Sequence, residues 1–240
     1  MKFNRRIKFL KMEDLIENIN PDTYTHQREH VEYWNNRNFV MEVVKKEGYL
    51  LRYASKNLKN DRDLVLTAVK NYGCALEFAS KRIRKDKEIV LNAVSDDGLA
   101  LSYASKKFKK NKEYALLSIQ FSGHYLKFMS KNIKNDRDIV LLAVQRNGNL
   151  QCASDNLKNN KEFLMDALKF DGDSLKYLPE SLRDDRDIVL IALKNSGNMK
   201  DVSLRLRNDR SLFLEASKNN GTCFKYVSEE IRNNKKFILC

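Results

Sequence analysis

Glycine and proline are both scarce in this sequence, and their scarcity removes several classes of function. There are eight glycines and two prolines among 240 residues, and no two glycines fall within ten residues of each other. Phosphate-cradling loops need closely spaced glycines, so neither the dinucleotide turn nor the nucleoside-triphosphate loop can be built anywhere in the chain. The glycine-flanked serine elbow of the hydrolases is excluded for the same reason. Cysteine is nearly as rare: Cys74, Cys152, Cys223 and Cys240 show no C-x-x-C spacing. A chain of this length needs no disulfide staples, so they read as reduced thiols of an intracellular protein. Long apolar runs are missing too, and none approaches the ~18 residues of a membrane span. Charges interrupt the N-terminal "MKFNRRIKFLKMEDL" before the core of a signal peptide can form. The expectation is a monomer in the cytoplasm, or in a host cytoplasm if the protein is a secreted effector.

Positive charge and regular repetition are what the sequence has in abundance. Hydrophobic residues make up 42% and charged residues 32% of the chain, with a formal net charge of +13. Such a balance favours acidic partners: nucleic acid, an anionic membrane or an acidic protein surface. The glycines stand at Gly48, Gly73, Gly98, Gly123, Gly148, Gly172, Gly197 and Gly221, in steps of 24 or 25 residues. Self-similarity at that period is the signature of a solenoid. The array of eight repeats and a partial ninth spans 36–240, and residues 1–35 form an N-terminal helical cap that buries Trp34.

Each repeat opens on an Asp or Asn: Asn36, Asp61, Asp86, Asn111, Asp136, Asn160, Asp185, Asp209 and Asn234. Such a side chain accepts hydrogen bonds from the first turn of a helix, so the position marks a helix start. Twelve residues later comes the glycine, which can take the left-handed conformation that ends a helix. The intervening "LVLTAV" and "IVLLAV" runs also suit a buried strand, as in a leucine-rich repeat. The alternation of such repeats is missing, however, and alanine recurs on the helical side, so a first helix of about eleven residues is expected. Leu64, Val65, Leu66, Ala68 and Val69 cover more than half its circumference, which predicts a helix packed on several sides. After the glycine, Ala75, Leu76, Phe78, Ala79 and Ile83 predict a shorter second helix with a trailing turn capped by a recurrent serine, replaced once by Pro179. The aromatic phase of Tyr53, Phe78 and Tyr103 is expected in the core. The fold class is therefore all-α, a solenoid of about eight short helical hairpins.

"LKNDRDLVLTAVKNYGCALEFASKRIRKD" and its copies resemble a family of short α-helical repeats catalogued as a domain of unknown function. Its members occur in bacterial proteins, some of them secreted effectors, and in protists and giant viruses. The resemblance implies the helical-repeat fold and brings no catalytic or binding residues with it. One residue is missing after Gly148 and after Gly197, which puts the second-helix geometry of those repeats apart from the rest.

The sharpest enzymatic candidate is "HQREH", where His26 and His30 stand one helical turn apart with Glu29 between them, the spacing of one zinc peptidase class. A third ligand is not evident, and the segment reads as a surface helix face. No catalytic residue, metal ligand or cofactor is assigned, and the protein is read as a non-enzyme. More informative are two phases that stay basic in every repeat. One is Lys59, Arg84, Lys109, Lys134, Lys158, Arg183, Arg207 and Arg232, near each repeat's end. The other follows the cap: Arg37, Arg62, Lys87, Lys112, Arg137, Lys161, Arg186, Arg210 and Lys235. A cation in the first turn opposes the helix dipole, so helix stability alone does not place it there. Either these cations pair with acids of the same or the next repeat, or they line up as a stripe that holds a polyanion. The functional expectation is a binding or scaffold protein, acting as an effector or inhibitor, that grips an acidic protein or a ribonucleoprotein. Direct, weakly sequence-specific binding of RNA or DNA is the alternative.

Overall fold

In the computed structural model, which describes residues 32–218, all regular elements are helical and no strand is present among the described residues. The first helices of successive repeats are α1 (Arg37–Lys46), α2 (Arg62–Asn71), α3 (Lys87–Asp96), α4 (Lys112–Phe121), α5 (Arg137–Gln145), α6 (Lys161–Ala167), α7 (Arg186–Lys194) and α8 (Arg210–Ser217). Their starts are capped as the sequence predicts. Asn36 Oδ1 accepts from Phe39 N at 3.1 Å and Asp61 Oδ1 from Leu64 N at 3.0 Å. Asp185 Oδ1 accepts from both Asp187 N and Ile188 N. Each such cap is worth about 1 kcal/mol. The contacts divide the chain into two compact bodies, Met1–Ser118 and Ile119–Cys240. The predicted cap helices before Glu32, the His26–His30 segment, Gly221, Cys223, Arg232, Lys235 and Cys240 lie outside the described residues.

In the N-terminal body α2 packs against both α1 and α3. The face it buries comprises Leu64, Val65, Ala68 and Val69, and α3 repeats the pattern with Ile89, Val90, Ala93 and Val94. Leu66 is only half-buried, so the covered arc is narrower than its apolar run suggests. Trp34 is buried, edge-on to Phe39 at 5.6 Å and tilted on Tyr53 at 5.3 Å. In the C-terminal body Ile139, Val140, Ala143 and Val144 of α5 and Ile188, Val189, Ala192 and Leu193 of α7 fill the same places. No helix among the described residues is long and apolar enough to cross a membrane.

The second segment is a 3₁₀ helix rather than a short α-helix: Gly48–Tyr53, Gly73–Phe78, Gly123–Phe128 and Gly172–Tyr177. Its glycine does not act by taking a left-handed conformation, because no described glycine has a positive φ. A Cβ on Gly73 would lie 2.3 Å from Ala93 O, and one on Gly48 would lie 2.3 Å from Ala68 O. Each of these glycines is therefore required by the close approach of its backbone to the next repeat's first helix. The amide is held there as well: Gly48 N donates to Asn71 Oδ1 at 2.6 Å and Gly73 N to Asp96 Oδ2 at 2.7 Å.

Left-handed residues do occur where the sequence departs from its period. Asn147 has φ 62° and Ser196 has φ 68°. In both places the next amide closes the helix end, Gly148 N on Ala143 O and Gly197 N on Ala192 O, each at 2.8 Å. This is the six-to-one bond of a Schellman end. The 3₁₀ segments that follow shrink to three residues, Leu150–Cys152 and Met199–Asp201. The missing residue is thus absorbed by the second segment.

A third, short segment follows each serine. Ser80 Oγ accepts from Ile83 N at 3.3 Å and Ser203 Oγ from Leu206 N at 3.2 Å, so the serine does cap this turn. Its backbone also stitches repeats together. Ser55 N donates to Trp34 O, Ser80 N to Lys59 O and Ser105 N to Arg84 O in the first body; Ser154 N donates to Lys134 O and Ser203 N to Arg183 O in the second. The serine hydroxyl adds a second stitch, from Ser80 to Asn60 Oδ1 at 2.6 Å and from Ser154 to Asn135 Oδ1 at 2.5 Å. Pro179 has neither an N–H nor a hydroxyl to give. Its would-be partner Asn159 turns back and donates its amide to Asp155 O at 2.8 Å.

Two stability series follow from this geometry. Gly73→Ala is expected to destabilise the N-terminal body by about 1–3 kcal/mol or more through overpacking, whereas Ser196→Gly relieves a left-handed residue and stabilises by up to ~1 kcal/mol; denaturant midpoints read both. Asn60→Ala removes a stitch and should lower the melting temperature, while Asn159→Ala, whose amide bonds only within its own segment, should lower it distinctly less.

Candidate basic interface

In most of the described repeats the cation near the repeat's end is directed at main-chain carbonyls, a partner that side-chain identities do not reveal. Lys59 Nζ donates to Arg52 O at 2.5 Å, Lys109 Nζ to Ser102 O at 2.5 Å and Lys134 Nζ to Lys127 O at 2.8 Å. Arg84 reaches Ala79 O at 2.9 Å and also Glu77 O. Arg207 holds Val202 O and Lys200 O, both at 2.8 Å. Arg183 extends to Asp201 O at 3.4 Å, in the following repeat, and to Glu180. Lys158 takes Asp155, at 3.0 Å, instead. These carbonyls end the 3₁₀ segment and lack a helical donor, so the cation completes them as a cap. Burial lowers the pKa of Lys59 and of Lys109, with Arg52 and Arg84 as the respective neighbouring charges adding to it.

The cation after the cap pairs with the start of the following first helix. Arg37 binds Asp61 at 2.6 Å, and Arg62 binds Asp86 at 3.0 Å together with Glu88. In the C-terminal body Lys161 binds Asp185 at 2.7 Å and Asp187 at 3.3 Å, and Arg186 lies 3.7 Å from Asp209 and 3.3 Å from Glu215. Where the next cap is the neutral Asn160, Arg137 turns to Asp166 at 2.6 Å. Lys87, followed by the neutral Asn111, meets no carboxylate among the described residues. The unfavourable placement of a cation in its own helix's first turn is thus offset by the acid that caps the next one. The acids respond accordingly: the Arg37 hydrogen bond holds Asp61 below its ordinary range, and the Leu212 amide does so for Asp209.

The aromatic phase differs from expectation. Tyr53, Phe78, Tyr103, Phe128 and Tyr177 are half-buried at the edge of the core rather than inside it. Cations sit on several of them: Arg52 lies 5.3 Å from the Tyr53 ring and 5.8 Å from that of Phe78, Lys127 4.8 Å from Phe128 and Lys176 5.1 Å from Tyr177. Leu50, Leu51 and Leu76 take the interior places that the sequence had offered to the rings.

For chemistry the described residues offer little. Cys74 is buried with its thiol 3.3 Å from Asp97 Oδ2, and burial, then that carboxylate, push its pKa up to about 12. A thiol so disfavoured as thiolate is no nucleophile. Among the described residues no cluster of three or more His, Cys, Asp or Glu is suited to a metal ion.

Since Asp61 is more acidic when folded than when unfolded, its contribution is present above the unfolded carboxylate value near ~4 and lost as the pH falls further. Asp61→Asn keeps the cap, as Asn36 and Asn160 do, and removes the charge that Arg37 meets. The variant should melt lower at neutral pH and lose less on acidification from about pH 6 to 3, which differential melting curves would measure.

No curated protein and no solved structure among those compared matches the chain. The model of one family, described as a domain of unknown function (DUF4116), matches residues 36–84, 62–109, 111–158, 147–183, 160–207, 185–232 and 209–240. These matches overlap in the register of the repeat and leave only residue 110 uncovered after Asn36, so the chain belongs to the DUF4116 family of helical repeats.

Proposed function

We propose that this helical-repeat chain is a non-enzymatic binding protein that presents a basic surface to an acidic protein or a protein–nucleic-acid complex. One observation carries the reading: most of the described cations that recur at constant phases are engaged by the scaffold, yet a formal charge of +13 remains over the whole chain. The surplus stands at exposed, variable positions such as Lys56, Lys81, Lys106 and Lys131, which no helix cap or carbonyl requires. In repeat proteins the constant positions build the scaffold and the variable exposed ones meet the partner. Many acids have assigned duties as caps or ion-pair partners, which supports binding over catalysis. The two basic ladders first considered as a binding stripe therefore serve the reading mainly by freeing the exposed lysines from scaffold duty.

The two kinds of cation separate by experiment. Reversing Lys109, Lys134 and Lys158 to Glu should lower the melting temperature, because carbonyls or a carboxylate lose their partners. Reversing Lys81, Lys106 and Lys131 should leave melting unchanged and reduce retention on heparin and polyglutamate matrices at low salt. A wild-type chain that neither matrix retains at about 50 mM salt, where polyanion contacts are strong, would falsify the proposal.

A further inference from the structure

The third segments of the N-terminal body run end to end. Ser80 N donates to Lys59 O at 2.8 Å and Ser105 N to Arg84 O at 3.1 Å, so the end of one segment meets the beginning of the next. Residues 55–60, 80–85 and 105–110 read SKNLKN, SKRIRK and SKKFKK, with ten cations and no acid. In the C-terminal body the matching segments 130–135, 154–159, 179–184 and 203–208 hold six cations and three acids, Asp155, Glu180 and Asp184. The charge is thus concentrated on one body. Lys56, Lys81, Lys85, Lys106, Lys107 and Lys110 are exposed, and among the described residues none of them meets a carboxylate.

One buried hydroxyl marks this row as more than surplus charge. Ser80 donates to Asn60, Ser154 to Asn135 and Ser203 to Asp184, an acceptor at the end of the preceding third segment each time. The acceptor for Ser105 would be residue 85, which is a lysine, and Ser105 Oγ is buried with no partner. An ammonium has no lone pair to offer. At this position the fold forgoes a repeated hydrogen bond and carries a cation at the surface instead.

We propose that this row binds the sugar–phosphate backbone of a single-stranded nucleic acid. The inference rests on the basic-surface reading above and names the partner's chemistry. A protein partner would call for an apolar centre in the contact, since lysine is depleted from protein interfaces and aromatic residues are enriched there. The three segments expose no large apolar side chain, and among the described residues those exposed elsewhere in this body are Tyr72 and Leu116. Exposed lysines in a row suit a phosphodiester chain. The half-buried rings of Tyr53, Phe78 and Tyr103 run alongside. The bonds from Lys59 to Arg52 O, from Arg84 to Glu77 O and from Lys109 to Ser102 O place the track next to the residue before each ring. A charged groove flanked by aromatic residues is the arrangement by which single strands are held without sequence preference.

The test measures fluorescence anisotropy of the full chain with a labelled oligouridylate of about 20 nucleotides, across roughly 50–200 mM salt. Four contacted phosphates give a log–log salt slope of about −3. Replacing Lys81, Lys85, Lys106 and Lys110 by Glu should weaken binding at least about tenfold more than the same charge change at Lys127, Arg146, Lys176 and Lys200; the corresponding Gln series serves if a Glu variant melts early. Lys85→Asn is the most discriminating variant, because it restores the acceptor for Ser105: it should raise the melting temperature and weaken oligouridylate binding together. Equal losses in the two quadruple variants overturn the track and leave the basic-surface reading standing. Tighter binding of a duplex, or of polyglutamate of matched charge, overturns the single-strand assignment alone. Failure to bind any of these polyanions defeats both.

Discussion

The structure depends on how closely a 3₁₀ segment can approach the helix that follows it. At Gly48 and Gly73 the backbone lies against the carbonyl of an alanine twenty residues on, with no room for a Cβ. That one contact dictates much of the repeat. The helix must present a small residue there, and it does with Ala68, Ala93, Ala143 and Ala192; in α4 the place is taken by Ser118, whose hydroxyl donates to Gly98 O at 2.8 Å. The glycine amide, turned away from its own segment, takes an acceptor from the end of the next first helix: a side chain at Asn71 and Asp96, a main-chain carbonyl at Arg146 and Asn195. Because the approach is set by backbone atoms, the aliphatic faces on either side can vary among Leu, Ile, Val and Phe without changing the step.

The second organising feature is that main-chain polar groups at the ends of short helices are completed from neighbouring repeats or from a charged side chain. Segments of three to six residues leave most of their amides and carbonyls without helical partners. The cap acid answers the amides of its own helix and also receives the cation of the preceding one. The cation at the repeat's end answers the carbonyls of the 3₁₀ segment. Most of the described cations at these two phases therefore have a partner in the scaffold, Lys87 being an exception.

The period, the cap, the first helix and the capping serine were all legible in the sequence, because each is encoded by side chains at fixed spacing. The missing residues after Gly148 and Gly197 mark the repeats whose second-segment geometry differs from the rest. Legibility ended where the partner is backbone. Nothing in the identity of Lys59 or Arg84 says that a carbonyl rather than a carboxylate awaits it. The glycine misled for a related reason: a residue twelve positions after a cap resembles a helix stop, and only the position of the next helix shows that it is a spacer. The sequence pattern of Tyr53, Phe78 and Tyr103 suggests core positions, but the tighter 3₁₀ winding gives the interior to the leucines and leaves the rings at the edge.

Those distinctions bear on how function can be read from a repeat protein. A constant residue shows what the scaffold needs, and an exposed variable one is compatible with either a partner or neutral drift. Lys85 belongs to neither class. It occupies a position where three other repeats supply an acceptor, and its presence leaves Ser105 Oγ buried without one. An unpaired buried hydroxyl costs about 1–3 kcal/mol, a term that replacement by asparagine would remove. Proteins tolerate such local departures mainly where activity, rather than stability, gains from them. The departure falls in the one row of third segments, among the described residues, where cations accumulate without acids. A scaffold defect and a charge concentration that coincide in one segment point to the same cause, and the segment from Ser80 to Lys110 is where a partner should be sought.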